Sequence, residues 1–119
     1  MASLFETYGG FASVRRIVSA FYDRAVESEI LAPYFEGVDM RRLIDHQTKF
    51  IAQAMGGPVS YTDHELERVH SRLHITEAAF DEMHNLLRET LEDSGVRNED
   101  VEAVCGQIVA RRVHIVTKR

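Results

Sequence analysis

Nowhere in this chain do apolar and polar residues alternate for long enough to make a convincing strand, and only two prolines occur in it. Apolar side chains recur three and four residues apart, the spacing that lines one face of an α-helix. The expected fold is therefore all-α. A short first helix, roughly residues 3 to 7, stops at Gly9-Gly10, where backbone freedom permits a sharp turn. The next carries Phe11, Val14, Ile17, Val18, Phe21 and Ala25 on one face and fades near Ser28. Pro33 marks a tight connection through Tyr34 and Phe35. Asp39 is a plausible N-cap for a helix whose inward face reads Met40, Leu43, Ile44, Gln47, Phe50, Ile51 and Ala54, ended by Gly56-Gly57-Pro58. Thr62 and Glu65 have capping-box spacing for a helix with the stripe Leu66, Val69, His70, Leu73. Thr76 caps the next, with Phe80, Met83, Leu87 and Leu91 inward and Gly95 past its end. A last helix from Asn98 buries Val101, Val104, Cys105, Ile108 and Ile115 in one continuous run.

At 119 residues the chain is read as one domain, 1-119, with room for a single core. Hydrophobic residues make up 45% and charged residues 28%, the balance of a globular protein. No apolar run approaches the roughly 20 residues a bilayer requires, so no membrane partner is expected. Met1 to Glu6 lack the basic start and apolar stretch of a secretory signal, which makes the cytoplasm the expected location. The formal net charge is −5, and basic residues form only short pairs such as Arg15-Arg16, Arg41-Arg42 and Arg111-Arg112. That argues against nucleic acid as the main partner. Cys105, the sole cysteine, reads as a small buried thiol.

Three polar side chains interrupt apolar helical faces. Burying the His70 imidazole without a partner costs on the order of 1 to 3 kcal/mol, so it must bond to protein, water or a metal. Gln47 stands between Leu43 and Ile51, and Tyr22 follows Phe21 one turn after Val18. Either these two bond each other or a water, or they serve a ligand.

Their setting resembles a known family. Tyr8-Gly9-Gly10, Phe21-Tyr22, Pro33-Tyr34-Phe35, Val38-Asp39-Met40, His46-Gln47, Phe50, Gly56-Gly57-Pro58, Tyr61-Thr62, Val69-His70 and Ile75-Thr76 together look like a truncated haemoglobin of the first group, from about residue 4 to 116. The resemblance implies a two-over-two helical sandwich around haem b, with His70 as the proximal iron ligand, a role that suits neutral imidazole. Phe35 would pack on the porphyrin face. Leu43, Phe50, Ile51, Val69, Leu73 and Phe80 would supply further apolar walls, each equally readable as ordinary core. Tyr61, Lys49 and Arg68 are candidate partners for the propionates, and His74 follows the proximal helix.

On the opposite face, Tyr22 and Gln47 match the family's distal hydrogen-bonding pair. Dioxygen draws electron density from ferrous iron, so donors aimed at its outer atom stabilise it, whereas carbon monoxide gains less. Some members place a histidine at the position of His46 as a sixth iron ligand; a solvent-facing His46 beside a propionate is the rival. Some cyanobacterial members attach haem covalently through a last-helix histidine, but the nearest equivalent position here is Arg111, with His114 about one turn later. Members of the family bind dioxygen, nitric oxide and carbon monoxide, and their oxygenated forms can oxidise nitric oxide to nitrate. That activity would require a separate reductase, because no flavin or nicotinamide domain fits in the chain.

Two other classes compete. A zinc-binding module could use His70 and His74 at i, i+4 spacing, although His64-Glu65-Leu66-Glu67-Arg68 lacks the second histidine of a zinc-protease helix. A cofactor-free helical interaction module would satisfy its core polar residues internally.

Overall fold

The structure, a computed structural model, describes residues 2–59 and 74–116. The helix expected from Thr62 onward, with Tyr61, Val69, His70 and Leu73, lies outside them.

Ser3 caps α1 (Leu4–Thr7) by accepting the Glu6 backbone N–H. Gly9 and Gly10 then take φ of 103° and 74°, left-handed values that a side chain would resist, and turn the chain into α2 (Gly10–Ala25). A Cβ at Gly9 would also lie 2.4 Å from Ser13 Oγ. A 3-10 turn at Ala32–Phe35, with Pro33 near its start, leads to α3 (Met40–Ala54). Asp39 caps α3 by accepting the Arg42 N–H at 3.3 Å. Thr76 caps α4 (Glu77–Asp93) through the Ala79 N–H at 3.1 Å. The capped starts expected at Asp39 and Thr76 are thus present, for the reason expected: a short oxygen side chain satisfies a backbone donor that the first turn leaves free. After α4, Gly95 adopts φ 87°, and α5 (Asn98–Ala110) begins.

Two expectations are corrected here. Phe11 is 43% exposed rather than buried, because it stands in the first turn of α2, beyond the end of the core; its ring packs edge-on against Phe5 at 4.8 Å and shows its other side to water. The last helix is not continuous to Ile115. Arg111 leaves helical geometry (φ −102°, ψ 10°), and a separate short α6 (Arg112–Ile115) follows. The break brings Ile115 and Val116 into the core and directs Arg112 toward Glu77 and Asp81 of α4.

α2 packs on α3 and on α4, while α5 packs on α4 and α3. The core between them holds Val14, Val18, Phe80, Leu91, Val101, Val104 and Ile108, each at most 1% exposed. Thr48 and Thr90 are buried without penalty, since each hydroxyl donates to the carbonyl four residues back, Ile44 and Leu86, at 2.7 Å. Ion pairs Arg15–Asp45, Arg24–Asp93 and Arg88–Glu102 join neighbouring helices at the surface. Cys105 is 1% exposed, and burial pushes its thiol above the ordinary range. Among the described residues no helix is long and apolar enough to cross a membrane.

Candidate functional site

One cavity of about 210 Å³ opens between the helices. α2 contributes Val18, Phe21 and Tyr22, and the chain around the 3-10 turn contributes Leu31, Tyr34, Phe35 and Val38. α3 supplies Leu43, Gln47, Phe50 and Ile51. The opposite wall is Ile75, Ala79, Phe80, Met83 and Leu87 from α4 and the residue before its cap, with Ile108 and Ile115 from the chain's end.

Seven residues singled out from sequence therefore meet at one place: Tyr22, Phe35, Leu43, Gln47, Phe50, Ile51 and Phe80. His46 does not join them on the wall. It is exposed on α3, immediately before Gln47. His74 is exposed too, with φ 52°, and its carbonyl accepts a long 3.4 Å bond from the Tyr34 hydroxyl. Lys49 is exposed on α3. Tyr61, Arg68, Val69, His70 and Leu73 lie outside the described residues. No group of three or more histidine, cysteine or acidic side chains could hold a metal ion among the described residues.

Several wall residues escaped the sequence reading as site residues. Met83 and Leu87 continue the Phe80 stripe of α4, so their periodicity announced a buried face, though not what that face meets. Leu31, Tyr34, Val38 and Ile75 sit outside the long helices, where no period applies.

The polar groups decide what the cavity can do. Tyr22 is held edge-on between the Phe21 ring at 4.9 Å and the Phe35 ring at 5.6 Å. Its hydroxyl makes no hydrogen bond to another described residue, nor does the Gln47 amide, so the two do not satisfy each other. No sealed side-chain nitrogen or oxygen is left unpaired among the described residues. The Tyr22 hydroxyl therefore gives onto open cavity space. Burial raises its pKa well above 10.0, so it remains a proton donor at neutral pH. An apolar cleft with a phenol facing into it and a glutamine on its wall fits a large flat apolar group carrying a small polar ligand.

The whole chain matches known proteins consistently with that geometry. Residues 3–117 match the family model described as bacterial-like globin. A group 1 truncated haemoglobin of Mycolicibacterium paratuberculosis is 34% identical over 116 residues, covering 98% of this chain and 85% of that one. The chain is a group 1 truncated haemoglobin of the bacterial-like globin family. Its fold is the two-over-two globin, as expected from sequence, and its cofactor is haem. The crystal structure of a Synechococcus 2/2 haemoglobin, in the cyanomet state with covalently attached haem, superposes with a TM-score of 0.89 at 27% identity and covers 98% of this chain and 100% of that one. The structure of Chlamydomonas reinhardtii THB1 superposes with a TM-score of 0.81 at 32% identity, each chain covered to 95%. Membership in this family displaces the zinc-module and cofactor-free readings. The residues present fit the cofactor: the cavity lining is almost wholly apolar, as a porphyrin requires, and Tyr22 and Gln47, which have no hydrogen-bond partner among the described residues, stand on its wall.

Proposed function

We propose that this globin binds dioxygen and nitric oxide at the iron of haem b held by His70, with Tyr22 and Gln47 as the distal donors. The observation that carries this reading is the Tyr22 hydroxyl, a neutral donor with no hydrogen-bond partner among the described residues that faces an apolar cavity. Nothing in ordinary core packing calls for such a group.

Haem, when bound, supplies the iron that takes up a diatomic gas and exchanges single electrons. The chain's own residues tune what is held. His70, as a neutral imidazole, would hold the iron through one ring nitrogen, with the other available for an orienting hydrogen bond. Phe35, Leu43, Phe50, Ile51 and Phe80 line the cavity with apolar surface and exclude water from it; Tyr61, Val69 and Leu73, outside the described residues, would be further contacts to the cofactor. Tyr22 and Gln47 then donate to a ligand that gains negative charge on binding, which favours dioxygen over carbon monoxide. His46, one residue before Gln47 and exposed on α3, would be the candidate for a second histidine on the iron in the resting state, with a solvent-facing side chain beside a propionate as its rival. A gas-binding haem so equipped suits conversion of nitric oxide to nitrate, with one electron supplied by a separate reductase.

The test compares dioxygen and carbon monoxide affinities of the native protein and a Tyr22→Phe/Gln47→Leu double variant. The ratio of dioxygen to carbon monoxide affinity should fall at least tenfold. An unchanged ratio would remove both residues from the distal role.

A further inference from the structure

The Tyr22 ring has two aromatic neighbours, and only one of them shares its helix. Phe21 is the adjacent residue of α2, whereas Phe35 closes the 3-10 turn of Ala32–Phe35. Where the Tyr22 hydroxyl points therefore depends on where that turn sits. The turn's Tyr34 and Phe35 pack on the core but are only partly buried, which leaves a polar contact room to set its position.

A chain of polar contacts fixes it from outside. Ser28, in the connection after α2, donates its hydroxyl to a Glu82 carboxylate oxygen on α4 at 2.8 Å, across 54 residues of sequence. The same Ser28 oxygen accepts the Leu31 N–H at 3.4 Å, and the Ser28 carbonyl accepts the Ala32 N–H at 2.8 Å. Leu31 is 5% exposed and lines the cavity; Ala32 begins the turn that ends in Phe35. Both Ser28 and Glu82 are half-buried, and Met83, the next residue on α4, is itself a cavity wall.

We infer that Glu82 is a positioning residue for the distal donor: through Ser28 it anchors the 3-10 turn to α4, and through Phe35 it sets the Tyr22 hydroxyl. This deepens the reading of Tyr22 as donor and rests on it. Neither residue touches the ligand. An acceptor at position 82 is what matters, so Gln, whose side-chain carbonyl can take the Ser28 proton, should replace Glu.

The experiment uses the haem-loaded protein. Glu82→Ala should speed dioxygen release three- to tenfold with carbon monoxide release changed less than twofold, and Glu82→Gln should restore the native rate. In a Tyr22→Phe background, Glu82→Ala should add nothing, because both changes act through one hydroxyl. Proton NMR of the carbon monoxide complex supplies a second readout: the Phe35 ring signals should shift in Glu82→Ala and return in Glu82→Gln. Ser28→Ala should reproduce Glu82→Ala, and decides the matter if Glu82→Ala does not fold. The inference is overturned if Glu82→Ala releases dioxygen at the native rate, if Glu82→Gln behaves like Glu82→Ala, or if the effect survives intact without the Tyr22 hydroxyl. If Tyr22→Phe alone leaves dioxygen release unchanged, the donor reading fails, and the Phe35 signals by themselves then decide whether Glu82 positions the turn.

Discussion

Tyr22→Phe is the perturbation whose effects should take opposite signs in two measurements. The substitution removes one oxygen and keeps the ring, so the edge contacts with Phe21 at 4.9 Å and Phe35 at 5.6 Å survive. Without a ligand, that oxygen faces an apolar cavity and has no partner among the described residues. Its loss therefore leaves the ligand-free protein as stable as before or more stable by up to about 1 kcal/mol. With dioxygen bound, the hydroxyl donates to an atom that has gained negative charge, an interaction of about 1.5 to 3 kcal/mol. At about 1.4 kcal/mol per factor of ten, dioxygen should leave roughly ten- to a hundredfold faster. Carbon monoxide, which gains little charge, should leave at a nearly native rate. Stopped-flow displacement of dioxygen by carbon monoxide measures the first quantity, and thermal unfolding of the ligand-free form followed by circular dichroism measures the stability. Dioxygen release within twofold of native refutes the donor role. A marked drop in the unfolding midpoint refutes the claim that the hydroxyl is unsatisfied without ligand.

Other consequences follow from single positions. Gly57→Ala should destabilise by about 1 to 3 kcal/mol in denaturant unfolding, since its Cβ would lie 2.9 Å from the Ala52 carbonyl and 2.8 Å from the buried Phe5 ring. Gly106→Ala is the matched control: inside α5 nothing lies within 4 Å of the new Cβ, and it should stabilise by about 0.5 to 1 kcal/mol. Arg112 pairs with Glu77 and Asp81 and sits 4.8 Å over the Phe80 ring. Arg112→Lys should therefore lower the unfolding midpoint despite keeping the charge, because an ammonium cannot bridge two carboxylates and stack at once. His84 has its pKa lowered from 6.5, first by burial and then by Arg88. Its unfolded form holds a proton that the folded form has lost, so stability should rise with pH from the folded-state value up to about 6.5 and flatten above. His84→Gln should remove that slope from a series of unfolding curves. His46→Leu should convert a low-spin ferric visible spectrum to a high-spin one; an unaltered spectrum would leave His46 on the solvent side of α3.

The helical character, the caps at Asp39 and Thr76 and the inward stripes of α3 and α4 were legible in the residues. Each depends on neighbours within four positions, and a side-chain oxygen meets a free backbone N–H wherever the rest of the chain goes. Gly9 and Gly10 announced a turn for the same local reason. Phe11 was misread because a helical stripe shows which face looks inward but not where the core ends. The break at Arg111 left no mark because it answers to α4, where Glu77 and Asp81 await Arg112.

For the site, the spacing of residues 47 and 22 showed polar groups on apolar faces and left open whether they meet. Only the packing of α2 against α3 and α4 brings them to one cavity, where neither has a hydrogen-bond partner among the described residues. That is the physical division in this globin. Local backbone chemistry and helical period are properties of a short stretch, and the amino acids alone determine them. Whether a buried donor is satisfied depends on groups tens of residues away, as with Ser28 and Glu82, and only the folded arrangement decides it.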